Sequence, residues 1–256
     1  MKLTVLGSGT SVPHPRRSSS AHWVEAGRGT LLLDCSGPAV HRMAEEGCDW
    51  ANLDAVWVSH FHLDHVGGLA PLLFGTKHAA ATRERRKPLA VYGPRGLGKL
   101  LRRFDEAGGY RIFEQPFPVE VRELAPRAEF ELLPGLAGAT LSTPHTSESL
   151  ALRLTDARGA SLVYTSDTGF TEALAGFARA ADLFLMECSF FREKPVETHL
   201  ELEDAMRLAR LSGARRCVLA HLYPEWDGVN LEAEARRLWD GETLEARDGL
   251  RLNVGG

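Results

Sequence analysis

The chain has 256 residues, enough for one large domain or two small ones with a substantial buried core. Hydrophobic residues make up 44% and charged residues 25%, the proportions of an ordinary globular protein, which excludes a disordered or fibrous chain. The formal net charge of -4 gives no overall attraction for a polyanion, so any contact with nucleic acid must be local.

Apolar runs alternate with segments of helical spacing along most of the chain. The runs rich in Val, Leu and Ile predict buried strands over 3–7, 30–35, 55–59, 89–93, 150–154, 161–166, 183–187 and 216–221. Helical spacing predicts helices over 38–46, 96–106, 171–179, 202–211 and 230–239. The stretch 120–140 alternates polar and apolar residues between Pro and Gly breaks, which predicts an antiparallel meander.

These patterns predict one domain over 1–256 and an α/β fold with a mixed sheet. No linker rich in Gly, Ser or Pro separates two cores, and no period of 20 to 50 residues indicates a solenoid. Two β-rich halves with helices outside would form a four-layer sandwich, but periodicity leaves other α/β arrangements open. The basic run RERRK at 83–87 is expected to be a solvated loop or helix face.

The most informative segment is SHFHLDH, which lies between the apolar run AVWVS and the small-residue run VGGLAPLL. His60, His62, Asp64 and His65 fall within six positions. On a strand-to-helix turn all four can face one cleft. Imidazole nitrogen and carboxylate oxygen favour zinc, manganese or iron. A run of surface histidines is the alternative, but four such groups beside two apolar elements would be costly to bury unpaired.

One short motif has too few ligands for two metals, which predicts further ligands at the ends of later strands. His145, Asp167 and His221 each follow such a strand. Taken singly, His145 and His221 could be loop histidines, and Asp167 could cap the helix near residue 171. Together they favour a dinuclear site.

In these motifs the chain resembles the metallo-β-lactamase superfamily, and the resemblance spans nearly the whole chain. It implies an αββα four-layer sandwich with two mixed β-sheets flanked by helices, and two divalent metal ions. The ligands it implies are His60, His62 and His145 for the first metal, Asp64, His65 and His221 for the second, and Asp167 as the bridge. The diiron oxidoreductases of the superfamily carry Glu where this chain has His62, which favours a zinc hydrolase and leaves manganese or iron open.

Three further segments resemble the branch of ribonuclease Z and its smaller phosphodiesterase relatives. They are LGSGTSVP at 6–13 with RRSSS at 16–20, VYGPRGL at 91–97, and MECSF at 186–190 leading to THL at 198–200. The last segment implies that His199 is an extra catalytic histidine, the alternative being a histidine at the start of the next helix. Asp64 would be a second catalytic residue that orients the nucleophile.

The chain departs from ribonuclease Z where that enzyme carries its tRNA-binding arm. Only 21 residues separate His145 from Asp167, room for two strands and a turn at 156–159 but for no arm. The cysteine-rich zinc loop of a phosphonate-pathway phosphodiesterase is also absent from the sequence. The sequence therefore favours hydrolysis of a small or cyclic phosphodiester over tRNA 3′-processing.

The expected chemistry is attack on phosphorus by hydroxide held between two divalent cations, while His199 donates a proton or a hydrogen bond to the leaving oxygen. Alternatives are a thioester, lactone, lactam or sulfate ester on the same site, and a non-catalytic binding module. The expected partner is a small-molecule phosphodiester, with nucleic acid disfavoured. Arg16 or Arg17 could contact a substrate phosphate or be ordinary surface residues.

The expected location is the cytoplasm. No apolar stretch is long enough to span a membrane, and the N-terminus becomes polar too early for a secretory signal. The segment 231–239 could form a homodimer interface or belong to the core.

Overall fold

The structure is a computed structural model that describes residues 1–27 and 29–255. The strands are β1 Lys2–Gly7, β2 Ala21–Ala26, β3 Gly29–Leu33, β4 Ala55–Trp57, β5 Leu89–Pro94, β6 Val119–Leu124, β7 Glu129–Leu133, β8 Leu136–Ser142, β9 Leu150–Asp156, β10 Ser161–Tyr164, β11 Leu183–Glu187, β12 Arg216–Ala220, β13 Glu242–Glu245 and β14 Arg251–Asn253. The α-helices are α1 Ala39–Glu45, α2 Leu63–Val66, α3 Leu69–His78, α4 Leu97–Gly108, α5 Glu172–Phe177, α6 Leu202–Ser212 and α7 Leu231–Arg236.

Within the described residues the strands form two seven-stranded sheets, in the orders β14-β1-β2-β3-β4-β5-β6 and β13-β12-β11-β10-β9-β8-β7. Each sheet is mixed. In the first, β1 to β3 pair antiparallel and β3 to β6 pair parallel. In the second, β7 to β10 pair antiparallel and β10 to β13 pair parallel. The predicted α/β class with two mixed sheets is confirmed.

The sheets pack face to face, and helices cover their outer faces. Leu31 and Leu33 of β3 lie in the core between the sheets, whereas Leu32 packs in the layer shared with α1, α3 and α4. Helices α5, α6 and α7 cover the second sheet in the same way. Strands buried on both faces are apolar at every position, which is why they appear as continuous hydrophobic runs in the sequence.

The meander predicted over 120–140 is wrong in part. Strands β7 and β8 do pair antiparallel, but β6 pairs parallel with β5 in the other sheet. Both β6 and β7 are edge strands, and their exposed faces give both the same alternating pattern, so the pattern cannot assign either to a sheet. Strands β2, β13 and β14 lie outside the predicted elements because their residues mix polar and apolar types, and helix α3 does so because its apolar residues do not follow a helical spacing.

The helix at 230–239 is shorter than predicted and ends at Arg236. Its buried Leu231 and Ala235 pack into the core beside the second sheet, so this part of the segment is core. The homodimer stays a prediction. Among the helices of residues 1–27 and 29–255, none combines the length and the apolar character needed to cross a membrane.

Candidate metal centre

The site lies where several strands end at the same edge of the two sheets. His60 and His62 occupy the loop after β4, and Asp64 and His65 lie in α2 directly behind it. His145 follows β8, Asp167 follows β10 and His221 follows β12. Because β10, β11 and β12 run parallel in one sheet, their carboxyl ends lie at the same edge, which brings Asp167 and His221 together.

Asp167 lies at the centre of the site. Its Oδ1 is 3.1 Å from His65 Nε2 and 3.4 Å from His221 Nε2. Its Oδ2 is 3.6 Å from His145 Nε2 and 3.8 Å from His60 Nε2. Each carboxylate oxygen therefore faces a different pair of imidazoles, which is the placement expected of a bridging ligand.

The remaining two residues complete the groups. His62 Nδ1 is 3.0 Å from His145 Nε2, and Asp64 Oδ2 is 3.4 Å from His221 Nε2. The seven side chains fall into two groups whose donor atoms lie within 4.8 Å of one another: His60, His62, His145 and Asp167 in one, and Asp64, His65 and His221 in the other. Asp167 and His221 also form a third such group with His199. The structure thus brings together the residues that the resemblance implies for each metal, and their role as metal ligands stays a prediction.

In two of the histidines, a hydrogen bond at Nδ1 orients the ring so that Nε2 faces the site. His145 donates from Nδ1 to the carbonyl oxygen of Thr198, at 2.9 Å. His65 donates from Nδ1 to the buried carboxylate of Asp34, at 2.7 Å. In a neutral imidazole with a protonated Nδ1, the lone pair is on Nε2, as a metal ligand requires.

Three buried atoms that face one another have no hydrogen-bond partner within the described residues: His60 Nε2, His65 Nε2 and Asp167 Oδ1. Leaving buried polar atoms unpaired is costly. A pair of divalent cations, one beside His60 and one beside His65 and Asp167 Oδ1, would satisfy all three, and imidazole nitrogen with carboxylate oxygen is a donor set suited to zinc, manganese or iron. The residues present fit a pair of such ions.

The charges at the site support the same interpretation. Burial by itself would raise the pKa of Asp167, but the charges of His221 and His65 hold that pKa well below its usual range. Burial lowers the pKa of His65, but Asp167 and Asp34 outweigh it and raise this pKa well above the ordinary value. Asp167 is therefore ionised at neutral pH, and a cation would compete with a proton for His65.

Asp34 is a site residue that the sequence did not reveal. Its fully buried carboxylate accepts hydrogen bonds from Ser59 N–H at 2.8 Å, from Tyr164 OH at 2.7 Å, and from His65. It follows β3 with φ of 54°, and His221 has φ of 56°, a left-handed conformation uncommon for residues other than glycine. A lone Asp at the end of an apolar run carries no motif, so only the fold identifies it.

His199 lies beside the two groups, with its ring stacked on that of His221 at 5.4 Å between centroids. It donates from Nδ1 to the Glu187 carboxylate at 2.8 Å. Burial alone would lower the pKa of His199, but the hydrogen bond to Glu187 and the charge of that carboxylate raise it. Glu187 belongs to the segment MECSF, but its pairing with His199 has no signature in the sequence.

A cleft of about 380 Å³ opens over the site, lined by Ser11, His62, Leu63, Asp64, Asp167, His199, His221 and Tyr223. The arginines considered as phosphate contacts are not among its lining. Arg17 pairs with Asp227 at 2.7 Å, and the Arg16 side chain is 74% exposed. A phosphate contact by either arginine stays a prediction.

Comparison with protein families and known sequences identifies relatives over almost the whole chain. The family model described as "Anti-Pycsar protein Apyc1" matches residues 1–239. The "Probable metallo-hydrolase YhfI" of Bacillus subtilis is 28% identical over 253 residues, with 98% of each chain covered. An uncharacterised protein of Mycobacterium leprae is 32% identical over 265 residues, with 99% of this chain and 89% of that one covered. A ribonuclease Z of Myxococcus xanthus is 27% identical over 311 residues, with 99% and 98% covered.

Solved structures show the same architecture. The crystal structure of YhfI, described as a metallo-beta-lactamase fold protein, superposes with a TM-score of 0.84 at 25% identity, covering 99% of both chains. The short form of human tRNase Z superposes with a TM-score of 0.78 at 20% identity, covering 100% of both chains. The αββα four-layer sandwich and the likeness to the ribonuclease Z branch are both confirmed.

Proposed function

Because the chain belongs to the family of the anti-Pycsar protein Apyc1, on a fold shared with metallo-hydrolases, we propose that it is a dinuclear metal-dependent phosphodiesterase that hydrolyses a small or cyclic phosphodiester. The observation that carries the proposal is the placement of Asp167, whose Oδ1 faces His65 and His221 and whose Oδ2 faces His60 and His145. His60, His62, His145 and Asp167 would hold one ion, and Asp64, His65, His221 and Asp167 the other. Zinc suits these donors best, and manganese or iron would also be accepted.

Two bound cations would supply an activated water and would neutralise charge on the phosphate oxygens. His199 provides the proton for the leaving oxygen. Its Nδ1 is held by Glu187, which turns Nε2 toward the cleft, and its raised pKa increases the fraction of imidazolium at neutral pH. Asp64, which lines the cleft 3.4 Å from His221 Nε2, orients the attacking water.

The cleft supports a small substrate. Its volume of about 380 Å³ is in the range of small-ligand sites, and its lining combines the metal-binding groups with Leu63 and Tyr223. Between His145 and Asp167 the chain forms only β9, a turn and β10. This leaves no arm to grip a tRNA, and the net charge of -4 adds no general attraction for one.

A substrate panel with metal analysis tests the proposal. We expect about two equivalents of zinc or manganese per chain, and activity on bis(p-nitrophenyl) phosphate and on cyclic nucleotides or ribosyl cyclic phosphates. The same preparation is assayed on a tRNA precursor and on thioester and lactam substrates. Preference for the tRNA precursor would indicate ribonuclease Z activity, and preference for a thioester or lactam would contradict the phosphodiesterase.

The role of His199 is tested by His199→Ala with two classes of phosphodiester. Loss of a general acid costs about 10²- to 10⁴-fold when the leaving group is poor and much less when it is p-nitrophenolate, which leaves without a proton. We therefore expect kcat/KM to fall mainly on unactivated substrates, with metal content unchanged. His78→Ala, at the end of α3, is the matched control and should leave both activities unchanged. Equal losses on both substrates would contradict proton donation.

A further inference from the structure

Each half of the site contains a buried carboxylate that holds one imidazole directly and lies next to a serine that contacts a second imidazole. In the first half, Asp34 accepts from His65, and the Ser59 hydroxyl lies 2.9 Å from Asp34 and 3.0 Å from His60 Nδ1. The carboxylate and the serine are both fully buried.

The second half repeats this arrangement with different residues. Glu187 accepts from His199, and the Ser189 hydroxyl lies 2.7 Å from Glu187 Oε2 and 3.0 Å from His221 Nδ1. Glu187 and Ser189 are 2% and 0% exposed, so water does not compete for these bonds. The two arrangements come from separate stretches of the chain, one before and one after Asp167 in the sequence.

A serine hydroxyl has one proton, and its neighbours determine where that proton points. Glu187 accepts the N–H groups of Thr168 at 2.7 Å and Leu200 at 3.1 Å, so both of its oxygens act as acceptors. The Ser189 proton therefore points to Glu187, because a bond to a charged acceptor is the stronger one. The hydroxyl oxygen is left to accept a proton from His221 Nδ1, which places the lone pair of His221 on Nε2.

The same argument applies to Ser59. Its hydroxyl donates to Asp34, and its oxygen accepts from the Ser166 hydroxyl at 2.6 Å and from His60 Nδ1. The His60 lone pair is then on Nε2, the atom that has no hydrogen-bond partner in the described part of the chain and faces Asp167. Each serine thus forms a hydrogen-bonded link between a carboxylate and an imidazole that the carboxylate does not contact.

We propose that Ser59 and Ser189 are paired positioning residues, each of which fixes the tautomer and orientation of one metal-binding imidazole, His60 in the first group and His221 in the second. The inference rests on the proposed dinuclear function and adds to it a separate determinant for each metal. Removing either hydroxyl would leave one ring free to rotate or to change tautomer. Loss of such an outer partner typically weakens metal binding about 10- to 100-fold.

The test measures zinc affinity by competition with a chromophoric chelator. Wild type is expected to bind two zinc ions with two affinities, which are assigned with His62→Ala for the first group and Asp64→Ala for the second. We expect Ser189→Ala to weaken by about 10- to 100-fold the zinc ion that Asp64→Ala also weakens, and Ser59→Ala to weaken the other. Each serine variant thereby serves as the control for its counterpart.

Two further comparisons separate positioning from general destabilisation. Ser161→Ala removes a buried hydroxyl next to the carboxylate of Asp182, at the end of β10 opposite to Asp167, and should leave both zinc affinities unchanged. Ser59→Thr and Ser189→Thr keep the hydroxyl and should retain the affinity, whereas Ser59→Val and Ser189→Val, with nearly the same shape as the threonine variants, should not. The threonine and valine pair also gives the answer if an alanine variant does not fold.

The inference is overturned if the alanine variants bind both zinc ions as tightly as wild type, if valine restores affinity as well as threonine, or if both serine variants weaken the same ion. These outcomes leave the phosphodiesterase proposal untouched. Failure of wild type to bind two ions would instead contradict the dinuclear function, and the inference with it.

Discussion

Arg85 shows how a side chain in a basic run can be part of the core. It is 8% exposed, its guanidinium lies 4.2 Å from the Phe117 ring centroid, and it donates to the carbonyl oxygens of Ala51, Leu53, Lys87 and Pro88. The expectation that RERRK is a solvated surface is wrong for this residue. A count of charges cannot show which arginine in a run meets unpaired carbonyl groups.

We predict that Arg85→Lys lowers the free energy of unfolding by about 2–4 kcal/mol. One ammonium group cannot reach four carbonyl oxygens spread around a planar fork, so buried acceptors lose their donors. Urea denaturation of the purified protein measures the change. Arg86→Lys, in the same run and with a 69% exposed side chain, should change stability by less than about 0.5 kcal/mol. Equal effects of the two variants would contradict the structural role of Arg85.

His22 is a buried histidine that the proposed chemistry does not use. It is 1% exposed in β2, packs edge-on against Tyr164 with 5.3 Å between ring centroids, and has no hydrogen-bond partner for either ring nitrogen among the described residues. Burial lowers its pKa from 6.5 to about 4, although the nearby Asp34 charge partly opposes the shift. The folded protein therefore keeps this imidazole neutral where an unfolded chain would protonate it.

The sign of the resulting pH dependence follows from that difference. Between pH 6.5 and about 4 the unfolded state binds the proton and the folded state does not, so stability falls as the pH falls. We predict that His22→Leu removes this contribution and gains about 2–3 kcal/mol relative to wild type between pH 7 and pH 4.5. Urea unfolding of the chelator-treated proteins measures it. The same pH dependence in both proteins would contradict a neutral His22.

At the scale of elements, the sequence places every proposed ligand at the end of a strand or the start of a helix. This succeeds because apolar runs show where strands end, and polar ligands directly after them stand out. It misses Asp34 and Glu187, which accept hydrogen bonds from histidines of the site and have no characteristic spacing in the sequence. It also assigns β6 to the wrong neighbours, since edge strands share one alternating pattern regardless of sheet.

Gly169 lies where three loops of the site pack closely against one another, because its backbone contacts the backbones of Pro144 and Glu197. Its N–H donates to the carbonyl oxygen of Pro144 at 2.9 Å, and a Cβ at this position would lie 2.2 Å from the carbonyl oxygen of Glu197. The loops on either side carry His145 and His199. A side chain here must push them apart, because both neighbouring groups are backbone.

We predict that Gly169→Ala lowers the free energy of unfolding by about 1–3 kcal/mol and reduces kcat/KM as well, because the same displacement moves His145 and His199. Gly176→Ala is the matched control, since a Cβ there meets nothing within 4 Å and the residue lies in α5. Alanine favours a helix by up to about 1 kcal/mol over glycine, so the control should be neutral or stabilising. Thermal unfolding and kinetics of both variants decide, and a Gly169→Ala enzyme with wild-type activity would contradict the tight contact.

At the scale of the whole molecule, the site joins the two sheets. His60, His62, Asp64 and His65 come from the loop and helix after a strand of the first sheet, and His145, Asp167 and His221 follow strands of the second. The way the sheets pack could not be derived from periodicity, since inner strands are apolar on both faces. The packing of the two sheets is predicted only by the resemblance to a known fold, which the order of the ligand motifs reveals.

A cation pair held by both sheets should stabilise the folded chain as a ligand does. With each free ion at about 100 times its Kd, binding adds about 2.7 kcal/mol per site, or about 5 kcal/mol for two. For a chain of this size each kcal/mol corresponds to about 2–4 °C in Tm, so we predict that chelation lowers Tm by about 10–20 °C. Calorimetry before and after chelation, followed by zinc addition, measures the shift and its reversal.

Asp167→Asn distinguishes metal-linked stability from other effects of the chelator. The variant keeps the size of the side chain but removes the charge that faces four imidazoles, so binding of both ions weakens and the chelator should lower its Tm far less than that of wild type. His78→Ala, which leaves both groups intact, should show the full wild-type shift. If chelation lowers the Tm of Asp167→Asn as much as that of wild type, the stabilising ions are bound somewhere other than between the sheets.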